Sequence, residues 1–265
     1  MLEGLYRRQS VEKTMREISA IRKQYDVDLF AFYDPIFAHC GSRMREYYEG
    51  LKKYGLLGKI FLYVQFMAGA FDEEMARIIS GMFAYRIYFG FESGSEKILR
   101  FLKTGIATVE DNRRVCRLAD KYDLRIDTCF MIGVPGETVE DLEQTENFIR
   151  QEYLNHVQIS HTVPQPGTAL WNYCLEKGLI PPGPIDWDIM EPKPHDTDAN
   201  LIYLNPGLEK AVYLQINQRI RDLAEEKTRQ GQERVQEKFD RDCAVVDENK
   251  SLEFQVSCEA VKHHS

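Results

Sequence analysis

The chain has 265 residues, of which 43% are hydrophobic, 11% aromatic and 29% charged. This is the composition of an ordinary folded chain and excludes wholesale disorder, a collagen-like repeat or a disulfide scaffold. Its 34 Lys and Arg against 42 Asp and Glu give a net charge of -8, so no overall positive field draws in nucleic acid or anionic lipid.

Taken in order, the apolar positions Val11, Met15, Ile18, Ile21 and Tyr25 step by three or four, which predicts an amphipathic helix with Ser10 as its N-cap. The apolar run over 27–33 is too short for a helix and stops at Asp34-Pro35, so it reads as a buried strand. The alternation then repeats. Helices are expected over 41–54, 72–82, 95–102, 109–122 and 139–151, the last two capped by Thr108 and Thr138. Strands are expected over 59–64, 86–91, 125–132 and 156–160. Strands separated by helices of this length pair in parallel, so the class is α/β, with chemistry expected at the carboxyl ends of the strands.

After Ser160 seven prolines fall within 31 positions, from Pro164 to Pro194, and an extended segment draped over the domain is expected. Leu208, Val212, Ile216, Ile220 and Leu223 trace one face of a further helix, which runs into a stretch where 13 of the 22 residues from Arg221 to Asp242 are charged. The division is therefore 1–180 as the α/β unit, 181–242 as a Pro-rich and helical extension, and 243–265 as a loosely ordered tail. Trp187, Tyr203 and the helix from Leu208 suit either packing or a lid over a substrate cavity.

No run approaches the roughly 18 apolar residues that span a bilayer, and MLEGLYRRQS lacks the apolar core of a signal peptide, so a cytoplasmic location is expected. Six cysteines, at 40, 116, 129, 174, 243 and 258, stand at least 13 positions apart. Metal sites usually draw two ligands from one short loop, so this spacing reads as reduced and mostly buried thiols.

The strand ends carry the candidates. Asp34 follows the first strand and suits either a ligand contact or a turn. Glu92, Ser93 and Ser95 lie in a Gly-flanked strand-to-helix connection, where Ser95 reads as a cap and Glu92 wants a cation or a ligand. Gly133, Pro135, Gly136 and Glu137 form a tight Gly-Pro-Gly connection, and His161 leaves the last strand with a structural role more natural than a catalytic one. There is no P-loop, GxGxxG, GxSxG or HExxH.

In order and spacing, the segments FYDPIF, FGFESGSEKILRFLKTGIATVED, FMIGVPGETVED and ISHTVPQPGTALWNYCLEKGLI resemble the radical S-adenosylmethionine superfamily over about residues 5 to 180. The resemblance is nearest to the branch in which a cobalamin-binding domain often precedes the radical domain. It implies a partial (β/α)6 TIM-like barrel of parallel strands, here missing its first strand, plus a helical carboxyl-terminal extension. It also implies S-adenosylmethionine, cleaved reductively to a 5'-deoxyadenosyl radical by a [4Fe-4S] cluster on three cysteines. By position, it places Asp34 near the methionine amino group, Glu92 and Ser93 at the methionyl or ribose part, and Gly133, Pro135 and Glu137 beside the adenine. Pro164, Pro166 and Gly167 match the loop that closes the mouth.

The family's CxxxCxxC loop belongs just upstream of Tyr6-Arg7-Arg8 and does not occur in this sequence, so no metal ligand and no catalytic residue is assigned. The expectation is the carboxyl-terminal portion of a radical enzyme, truncated and inactive alone, with the cluster, and cobalamin where present, in the complete parent. Its substrate, small or macromolecular, is not encoded in these motifs. A missing first strand would leave 27–33 as an unprotected edge open to a partner chain. Two other readings stand beside this one. One is a cluster-free scaffold that binds a nucleoside or a partner; the other is a non-redox α/β enzyme using Asp34 and Glu92 as acid and base across the mouth.

Overall fold

The computed structural model describes residues 8–180 and 203–262, with side chains described as far as 249. Five parallel strands form one sheet in the order β1-β2-β3-β4-β5: Leu29–Ala31, Phe61–Phe66, Ala84–Glu92, Ile126–Ile132 and His156–His161. Each strand lies beside its neighbour in sequence, so crossovers of one hand place their helices on one face of the sheet and leave the other face as the wall of an open barrel.

The helices start where the sequence supplies caps. Ser10 caps α1 (Val11–Tyr25) through the Lys13 amide; α2 is Gly41–Lys53, and Asp72 caps α3 (Glu73–Ser80). Ser95 caps α4 (Glu96–Lys103), while Thr108 and Thr138 form capping boxes with Asp111 and Asp141 at α5 (Val109–Lys121) and α6 (Val139–Gln151).

The two sheet faces separate by the strand period of two. Leu62, Val64, Phe66, Ile87, Phe89, Phe91, Phe130 and Ile132 are buried under the helices, where Phe91, Phe130 and Phe148 of α6 pack ring against ring. Tyr63, Gln65, Arg86, Tyr88 and Ser160 alternate with them and keep partial exposure on the trough face. One end of that face is plugged by Asp127, with Arg86 at 2.8 Å and Arg125 at 3.9 Å.

Three expectations need correction. The first strand covers only Leu29–Ala31 rather than 27–33, and it is an exposed edge rather than a buried strand, because its register with β2 runs from Leu29↔Phe61 to Ala31↔Tyr63 and its outer side has no pairing among the described residues. The segment after Ser160 contains a helix, α7 (Ala169–Glu176), capped by Thr168 and anchored by the buried Cys174. Pro181, Pro182, Pro184, Pro192, Pro194 and Trp187 lie outside the described residues.

The third correction concerns the tail. The last helix, α8 (Lys210–Lys262), does not end near 242. Val246 is buried and the Asn249 side chain donates to the Gly58 carbonyl at 2.9 Å, so tertiary contacts carry the helix on where local periodicity had faded. No helix among the described residues is long and apolar enough to cross a membrane.

Candidate functional site

Glu92 ends β3 at φ 61°, in the left-handed region that a non-glycine residue occupies at a cost, and the β3–β4 register slips between Gly90 and Glu92. The slip folds the carboxylate back over Gly90. A Cβ at Gly90 would lie 2.4 Å from Glu92 Oε1, so the glycine makes room for the acid. Lys103, the last residue of α4, meets Glu92 Oε1 at 3.0 Å. The two side chains remain 16% and 27% exposed, so this ion pair stays in reach of a ligand at the strand ends.

Ser93 is placed differently. It is fully buried, its hydroxyl lies 3.1 Å from Thr145 Oγ1, and it accepts from the Ser95 amide at 3.0 Å. Thr145 also accepts from the Gly94 amide, and a Cβ at Gly94 would fall 2.6 Å from the Gln144 carbonyl. Ser95 donates to Asp141 Oδ1 at 2.6 Å, and Lys97 pairs with the other oxygen of the same carboxylate. The ESGS segment is thus locked onto α6, which fixes the backbone from which Glu92 projects. Thr145, Asp141 and Lys97 went unnoticed in the sequence because their partners lie about 50 positions away; the regular i, i+4 spacing of Asp141 and Thr145 was the available signal.

Gly133 and Gly136 both take φ 77°, as a tight connection requires. Glu137 does not reach the surface. Its Oε2 accepts from the Gly133 amide at 2.8 Å and the Val134 amide at 3.3 Å, and its Oε1 is buried with no hydrogen-bond partner among the described residues. Burial raises the Glu137 carboxyl to about 8, against the opposing pull of those two amides. On the helix-covered side, His161 Nδ1 lies 2.7 Å from the Tyr213 hydroxyl, in the space that a side chain at Gly133 would fill. Tyr203 packs on Tyr213 at a ring separation of 5.2 Å, which gives it the packing role.

Asp34 is exposed in the loop after β1. Two strand positions separate it from Glu92, whose carboxylate faces Lys103 instead, so the two acids are not brought together as an acid–base pair. Pro164 is buried and Pro166 and Gly167 are exposed on the way to α7. Among the described cysteines, Cys116, Cys129 and Cys174 are buried and Cys40 and Cys243 partly so. The described residues contain no group of three His, Cys, Asp or Glu able to hold a metal ion.

A profile of the radical SAM superfamily matches residues 2–149. An uncharacterized methyltransferase of Pyrococcus horikoshii is 30% identical over 175 residues, covering 66% of this chain and 38% of that protein. The cytidylyl-2-hydroxyethylphosphonate methyltransferase of Streptomyces wedmorensis is 24% identical over 183 residues, or 66% of this chain and 34% of that one. The chain therefore spans little more than a third of these relatives. In fold it is similar to the radical S-adenosylmethionine methyltransferase TsrM of Kitasatospora setae, solved with cobalamin and a [4Fe-4S] cluster, at a TM-score of 0.58 and 19% identity over 66% of this chain and 33% of that one.

Proposed function

The chain belongs to the radical S-adenosylmethionine superfamily, and from that premise we propose that its strand ends form the S-adenosylmethionine-binding wall of a methyl-transferring radical enzyme whose cluster cysteines lie outside these 265 residues. The superfamily's cofactors are S-adenosylmethionine and a [4Fe-4S] cluster, which together supply a 5'-deoxyadenosyl radical when both are bound. The cluster does not fit the residues present, because three thiolates must converge and none of the described cysteines shares a site with two others.

S-adenosylmethionine does fit. Its amino-acid half carries an ammonium and a carboxylate, and the rim offers a carboxylate and an ammonium 3.0 Å apart in Glu92 and Lys103. The observation that carries the reading is this pair, held on strained backbone over a glycine that gives it space. Glu92 orients the ligand's ammonium or a ribose hydroxyl, Lys103 balances the charge, and the turn at 133–137 supplies close backbone contact for the nucleoside. The outer side of β1, unpaired among the described residues, is where a further strand, on the same or a partner chain, would pair and bring the cluster loop to the mouth.

Methyl transfer, with cobalamin as a carrier outside these residues, is supported by the names of the relatives and by the cobalamin-bound neighbour in fold. Calorimetric titration of S-adenosylmethionine tests the wall by itself. The expected result is a Kd at or below about 1 mM, weakened about tenfold by Glu92→Ala; wild-type binding weaker than that limit, or an indifferent variant, overturns the reading.

A further inference from the structure

The amide hydrogens of the strand-end turn are all spoken for. Gly133 and Val134 donate to Glu137 Oε2, Glu137 donates to the Val134 carbonyl at 3.0 Å, and Gly136 donates to Asn205 Oδ1 at 3.3 Å. Pro135 has no amide hydrogen. Asn205 reaches the turn from nearly 70 positions along the chain, and its Nδ2 donates in return to the Glu137 carbonyl. Its residue is 3% exposed, and the stretch that carries it is fixed from both sides: Tyr203 donates to the Leu208 carbonyl at 2.6 Å, and Tyr213 is held by His161. The amide of one asparagine thus grips two consecutive residues of the turn, while the Glu137 side chain grips two more from within.

From this we infer that Asn205 is a positioning residue for the nucleoside: with Glu137 it consumes every main-chain donor of the turn, so that the main chain of 133–137 can offer a ligand acceptors alone. These are the Gly133 and Pro135 carbonyls and the second lone pairs of the Val134, Gly136 and Glu137 carbonyls, which already accept from the Glu137 amide, Lys97 Nζ at 3.1 Å and Asn205 Nδ2. A purine edge that donates, such as a 6-amino group, is complementary to such a surface, whereas a 6-oxo group would set oxygen against oxygen. The carboxyl-terminal extension then has a part in ligand selection, not only in covering the sheet. This inference rests on the reading that the turn faces the nucleoside of S-adenosylmethionine, and its test separates the two.

The first measurement is amide exchange by NMR in the ligand-free protein. Asn205→Ala should speed exchange of the Gly136 amide by about tenfold; unchanged exchange overturns the inference whatever the ligand does. The second is calorimetry with 5'-methylthioadenosine and 5'-methylthioinosine, which differ at the 6-position. The wild type should prefer the 6-amino compound, and Asn205→Ala should weaken its binding and reduce the preference, each by about tenfold. Asn205→Asp is isosteric but sets a carboxylate oxygen against the Glu137 carbonyl, so it should behave like the alanine variant; wild-type affinity and preference in both variants would reduce Asn205 to a structural clamp and overturn the inference. Faster exchange in a protein whose wild type binds neither nucleoside would overturn the preceding site reading, and this inference with it. Thermal unfolding of each variant confirms that a folded protein is being compared.

Discussion

The two edges of the sheet are finished in opposite ways. Along β5, α8 supplies what a neighbouring strand would: Thr228 Oγ1 accepts from the Val157 amide at 3.0 Å and Arg221 donates to the Ile159 carbonyl at 3.3 Å. The contact is close because Gly231 presents no side chain where α8 crosses Asn155. Along β1 there is a three-residue strand with Leu29 51% exposed and Tyr33, just beyond it, 79% exposed. A sheet edge is a template for further pairing unless something covers it. The comparison teaches that, among the described residues, this wall is covered by a helix along β5 and unpaired along the outer side of β1, the side on which the proposal places a further strand.

The comparison breaks most readily at Gly231. A Cβ there would lie 2.1 Å from the Asn155 carbonyl oxygen and 2.6 Å from its Cα, backbone atoms that cannot swing aside. Gly231→Leu should therefore cost about 3 kcal/mol or more, read as a lower urea midpoint at unchanged slope. An unchanged midpoint would mean that α8 is not seated on that edge.

Smaller effects sharpen it. Tyr213→Phe removes the hydroxyl that meets His161 at the end of β5 and should cost about 1–1.5 kcal/mol by the same denaturation. Glu137 sets a pH dependence. Its carboxyl is raised from 4.5 to about 8 by burial, so the folded protein holds a proton that the unfolded chain has lost, and stability falls as pH rises between those values. Above about 8 the full cost of burying the charge is felt. Glu137→Gln keeps an acceptor for the two amides and cannot ionise, so its Tm should exceed that of the wild type by about 2–4 °C at pH 9 and show a shallower pH slope; parallel Tm profiles would contradict the assignment. At the other edge, Leu29→Lys should change stability by no more than about 0.5 kcal/mol, and a large loss would show that β1 is covered after all.

Much of the wall was legible in the sequence because each signal was local. The Ser10, Thr108 and Thr138 caps and the apolar runs expected as strands over 86–91 and 125–132 needed no distant partner to be read. The clamp was not legible in this way. Asn205 and Tyr213 lie beyond the proline-rich stretch and act on residues 69 and 52 positions earlier, and a single asparagine in a loop carries no periodicity. The continuation of α8 past 242 escapes the sequence for a related reason, since Val246 is buried and Asn249 is tied to Gly58, nearly 200 positions earlier, by a tertiary contact. The sequence marks Glu92 as a carboxylate in need of a cation, but only the fold shows that Lys103 supplies it and that Gly90 makes the space.

The division of labour between wall and cluster is tested most directly by anaerobic reconstitution of the chain with ferrous iron and sulfide, followed by gel filtration and an iron count per chain. The prediction is less than about one iron per chain and no cluster absorbance, because no three of the described cysteines converge. About four irons per chain, with 5'-deoxyadenosine formed on adding reductant and S-adenosylmethionine, would show that these residues assemble the cluster themselves and would contradict the account.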